Sequence, residues 1–153
     1  MKKLATLISI CILSILSSTF VFAHDDHPTP AAHLTYKKGS LHIHADFLKT
    51  PITGEEAFLK LEARDGKTHK LIDIQDDIDV DLWMPDMNHG SSPTLVERAI
   101  DNQGNPITGT FIAKSLYFVM AGTWDVKVTL KDSSNVSETK KFSLKISGSG
   151  HDH

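Results

Sequence analysis

Apolar and polar residues alternate along most of this chain. Leu41, Ile43, Ala45 and Phe47 are interleaved with His42, His44 and Asp46, and Ile78, Val80 and Leu82 with Asp77, Asp79 and Asp81. Phe58-Leu59-Lys60-Leu61-Glu62, Thr110 to Phe118, Trp124 to Val128 and Phe142 to Ile146 continue the pattern. Successive side chains of a strand point to opposite faces, so a period of two predicts strands with one buried and one solvated face. Turn formers separate the runs: Asp65-Gly66-Lys67, Asn102-Gln103-Gly104-Asn105-Pro106, Ala121-Gly122 and Asp132-Ser133-Ser134-Asn135. Gly90-Ser91-Ser92-Pro93 turns the chain towards a further strand. No window carries a helical period of useful length, and no internal repeat is visible. The expectation is an all-β fold, an immunoglobulin-like antiparallel β-sandwich of about seven strands.

The ends of the chain depart from this pattern. Lys2 and Lys3 precede an apolar stretch from Leu4 to Phe22, and Val21-Phe22-Ala23 has the small-residue spacing of a signal-peptidase site. Residues 1–23 are therefore expected to be a cleaved signal peptide, which puts the mature chain in the periplasm or outside the cell. Ser17-Ser18-Thr19 argues against a membrane anchor. Residues 24–37, with Asp25-Asp26 and two prolines, predict a flexible arm containing histidine. Residues 38–147 form the predicted domain, and residues 148–153 a flexible Gly/Ser tail with His151 and His153.

Composition narrows the chemistry. Without Lys2 and Lys3, 14 of the 16 basic residues face 19 acidic ones, a net charge of −5, which disfavours nucleic acid as a partner. The single cysteine, Cys11, leaves with the signal, so neither disulfides nor thiolates contribute to the mature chain. A monomer is expected. There is no nucleophile elbow and no phosphate-cradling glycine loop, so the chain is not expected to be an enzyme.

Soft donors stand out against this background. Met84-Pro85-Asp86-Met87-Asn88-His89-Gly90 places two thioethers and an imidazole within six residues, and Met120 precedes Gly122 and Trp124. Thioether sulfur is a poor ligand for Mg, Ca or Zn but a good one for Cu(I), and imidazole suits copper in either oxidation state. Pro85 stops the strand ending at Met84, leaving Met87 and His89 on the following loop. All three methionines of the mature chain fall at predicted strand ends or in the turns beside them. Copper binding by Met84, Met87, His89 and Met120 is one reading, and gap-filling by flexible side chains is the other.

The segment Leu82-Trp83-Met84-Pro85-Asp86-Met87-Asn88-His89-Gly90-Ser91-Ser92-Pro93, with Phe118-Val119-Met120-Ala121-Gly122-Thr123-Trp124-Asp125-Val126, resembles the YtkA-like domain family and the related FixH-like proteins. Pro51-Ile52-Thr53-Gly54 also looks like that family's lead into a strand. The resemblance covers roughly Leu41 to Ile146. It implies a sandwich outside the cytoplasmic membrane and a role in delivering copper to, or assembling, haem–copper respiratory oxidases. Carried over, the ligands are Met84, Met87, His89 and Met120. Two features depart from the family pattern: Asn88 stands where relatives often have Gly, and many relatives are membrane-anchored.

Other histidines compete as ligands. His42-x-His44 puts two rings on one strand face, a metal-site spacing that equally describes a solvated face, and either ring is a possible additional ligand. His24, at the mature N-terminus, offers an amine and a ring nitrogen for Cu(II). The remaining terminal histidines fit weak scavenging, His69 a surface position, and Asp76 to Asp81 the acidic outer face of a strand. The sequence therefore favours an exported Cu(I) carrier or chaperone, for oxidase assembly or copper homeostasis, with a membrane oxidase or copper-transfer protein as partner. The alternative is a metal-free interaction module assisting a membrane complex.

Overall fold

The computed structural model describes residues 31–148. The signal segment, His24, His27, His151 and His153 lie outside them.

Among the described residues, nine strands form two antiparallel sheets. The strands are β1 (Ala31–Tyr36), β2 (Leu41–Phe47), β3 (Glu56–Asp65), β4 (Asp77–Met84), β5 (His89–Gly90), β6 (Leu95–Ile100), β7 (Pro106–Tyr117), β8 (Gly122–Lys131) and β9 (Ser137–Ile146). One sheet runs β1-β2-β3-β7-β6 and the other β5-β4-β8-β9. The expected immunoglobulin-like sandwich is what forms. The count exceeds seven because of β1 and the two-residue β5.

Period two translates directly into burial. Leu41, Ile43, Ala45 and Phe47 face inward on β2, as do Val80, Leu82 and Met84 on β4, while Asp77, Asp79 and Asp81 are exposed. Tyr36, Phe47, Phe118 and Trp124 fill the space between the sheets with aliphatic side chains from both.

The boundary of the predicted N-terminal arm is corrected here. Residues 31–36 are a strand paired along its length with β2, from Ala31 opposite Asp46 to Tyr36 opposite Leu41. Leu34 and Tyr36 are core residues, and the Tyr36 hydroxyl donates to the Val128 carbonyl of the opposite sheet at 2.7 Å. Ala32, Leu34 and Tyr36 carry the period-two signal, but prolines and acidic residues just upstream mask it.

Candidate metal centre

The Met-Pro-x-Met-x-His segment folds back on itself. β4 ends at Met84, and Pro85–Met87 make one 3-10 turn with proline in its first position, where its missing N–H costs nothing. Asn88 then takes the left-handed conformation, φ 51°, and its N–H donates to the Pro85 carbonyl at 3.2 Å. That reversal pairs His89 with Met84 and Gly90 with Trp83. His89 thus sits on a short strand against β4, not on an open loop. The left-handed residue also explains the departure from the family pattern, because asparagine is one of the few side chains that tolerates this conformation.

The four proposed donors differ in exposure. Met84 is 4% exposed, Met87 57% and Met120 36%, and His89 is half-buried. Met120 lies in the turn beyond β7, which ends at Tyr117. The His89 Nδ1 is 3.0 Å from the Gly90 carbonyl. A neutral imidazole making that contact must donate from Nδ1, which leaves the Nε2 lone pair available to a metal.

Trp124 joins the two halves of the motif. The His89 and Trp124 rings stand perpendicular with centroids 5.8 Å apart, and the Trp124 Nε1–H donates to the Met120 carbonyl at 3.0 Å. The Phe118 ring also packs against the indole, with centroids 5.6 Å apart. The Met84 methyl lies over Gly122, two residues beyond Met120. One buried indole therefore fixes the His89 ring and the Met120 turn at the same end of the sandwich. Trp124 and Gly122 stand in the sequence motif, but alternation alone gives no sign that they link its two halves.

His42 and His44 do not join this end. Both lie on the outer face of β2, because Leu41, Ile43 and Ala45 occupy the inward positions, while Met84 points inward from the other sheet. Among the described residues, no three His, Cys, Asp or Glu side chains are already arranged to hold an ion. That statement concerns imidazole, thiolate and carboxylate donors and leaves thioethers aside.

Comparison with known proteins agrees with the architecture. The family model described as YtkA-like matches residues 35–129, which include the whole double motif. No curated protein matches the chain. Among solved structures, a DUF4426 family protein from Pseudomonas aeruginosa is similar at 10% identity and a TM-score of 0.53. The alignment covers 75% of this chain and 96% of that one, a likeness of fold alone.

Proposed function

The chain belongs to the YtkA-like family, and from that premise we propose that it is an exported copper-binding protein carrying Cu(I) outside the cytoplasmic membrane. The observation that supports this is that Trp124 contacts both the His89 ring and the Met120 carbonyl at one end of the sandwich, with Met87 and Met120 exposed. Gap-filling accounts for Met84, which is buried, but not for Met87 and Met120, which leave much of their surface in water. Copper is the cargo. Met84, Met87 and Met120 supply the soft donors, and His89 supplies Nε2. Exposure of two of the four donors suits handover, since a recipient's ligands can approach the ion before the carrier's release it. A haem–copper oxidase or a copper-transfer protein is the recipient that fits the family.

Burial of Met84 beneath Gly122 favours one other reading, a metal-free interaction module in which the methionines only pack. A competition titration with a Cu(I) chelator separates the two. The carrier takes up one equivalent, and Met87→Leu with Met120→Leu weakens uptake at least tenfold with little change in thermal stability. Absence of uptake by the folded protein excludes the carrier.

A further inference from the structure

Four histidines from three pieces of sequence meet on the outer face of the other sheet. His33 on β1 stands opposite His44 on β2, His42 is the next residue along that face, and His69 follows β3. The His33 ring centre is 4.4 Å from that of His42 and 4.6 Å from that of His44, and His42 is 5.5 Å from His69. Two imidazoles bound tetrahedrally to one ion through bonds of about 2.0–2.1 Å have ring centres roughly 5 Å apart. The strand register brings the rings of His33, His42 and His44 close to that separation.

A second observation points to an occupant. His42 Nδ1 and His44 Nε2 are shielded from water and have no hydrogen-bond partner. A buried polar nitrogen left unpaired costs about 1–3 kcal/mol, and most such groups in folded proteins do have a partner. A metal ion is one partner that both nitrogens would accept.

Their surroundings hold two of the rings in the neutral form. Burial, then the neighbouring His33 and His69, hold His42 below its ordinary titration range, with Asp65 opposing. Burial, then His33 and Arg64, do the same to His44, with Glu62 and Asp46 opposing. The deprotonated ring is the form that ligates. Arg64 donates from its terminal nitrogens to Glu62 at 2.6 Å and to the His69 carbonyl at 3.0 Å, while its Nε has no partner.

We propose that His33, His42 and His44, with His69 as a fourth donor, form a second metal site for a divalent ion of borderline softness, Zn(II) or Cu(II). The rings do not converge on one point as they stand. His33 and His69 are exposed, so they can turn onto an ion while the half-buried His42 and His44 stay in place. The site differs from the thioether end in both position and donor type, and it does not depend on Cu(I) binding there.

The test is a Zn(II) titration against a chromophoric chelator at pH 7.5, on protein carrying His24→Ala, His27→Ala, His151→Ala and His153→Ala so that terminal histidines do not contribute. One equivalent is expected, with shifts in the imidazole nitrogen resonances of His33, His42 and His44. His33→Gln with His44→Gln lowers the affinity at least tenfold while the circular dichroism spectrum stays that of the parent. Met87→Leu with Met120→Leu leaves Zn(II) affinity unchanged. No Zn(II) uptake by the folded protein, or affinity unaltered by the His33 and His44 substitutions, overturns the proposal. Should the double variant unfold, His33→Gln alone decides, since His33 is exposed on an edge strand and its loss alone should still lower the affinity.

Discussion

The Met84 methyl occupies the space that a side chain on residue 122 would need. A Cβ added to Gly122 would lie well inside van der Waals contact with Met84 Cε and 4.0 Å from its sulfur. Gly122 also has φ +139°, where L side chains are strained. Gly122→Ala is therefore expected to cost about 1–3 kcal/mol, chiefly from backbone strain, since the Met84 methyl is the free end of a flexible side chain and can move aside. It should also push Met84 away from the end of the sandwich. Chemical denaturation measures the first effect and Cu(I) competition the second. An alanine variant as stable as the parent would contradict this backbone conformation.

Asn88 offers a cleaner separation of backbone from side chain. Its left-handed conformation costs an ordinary L residue about 1–2 kcal/mol. Asn88→Gly should be nearly neutral, whereas Asn88→Val should destabilise by at least about 1 kcal/mol and disturb the pairing of His89 with Met84. The amide exchange rate of Ser91, whose N–H donates to the Leu82 carbonyl across that pairing, and the midpoint of urea unfolding report the two consequences. Equal stability of the Gly and Val variants would mean that the turn does not hold His89 in place.

Tyr36 tests whether the first strand belongs to the domain. Its ring is fully buried and its hydroxyl reaches the Val128 carbonyl of the other sheet. Tyr36→Phe removes one buried hydrogen bond, worth about 0.5–1.5 kcal/mol. Tyr36→Ala opens a cavity and should cost about 3–5 kcal/mol, judged by the usual range for buried aromatic rings. A flexible arm would give almost no loss in either variant, as read by thermal unfolding.

Alternation made the sandwich legible, since residues such as Ile43 and Val80 face the core where the period puts them. It failed at Ala31–Tyr36, where local composition resembled a tail while the inward positions Leu34 and Tyr36 were already marked. It also missed β5, which is too short to show any period and exists only because Asn88 reverses the chain. The soft-donor motif was legible because thioethers and imidazole sit close in sequence. Its link to Met120 through Trp124, and the meeting of His33 with His42 and His44, depend on long-range register. Spacing along one chain does not encode register.

Acid should weaken the fold through the histidine face before it reaches the carboxylates. His42 and His44 titrate below their ordinary value of 6.5 in the folded protein, first because the half-buried rings are partly desolvated and then because His33 lies beside both. As pH falls, the unfolded chain binds these protons first, so folding loses stability. The contribution is complete above about pH 6.5, falls progressively below it, and is gone beneath the folded titration range. Carboxylates such as Asp125, held low by Lys141 and Ser143, lose their share only in more acidic solution. A fall in melting temperature between pH 7 and 5.5 is therefore expected, and His42→Gln with His44→Gln should flatten it. His69, Arg64, Glu62, Asp46 and Asp65 are the other titratable or charged groups around the two rings, and all remain in that variant. A parent profile already flat across this range would mean that the folded rings titrate normally.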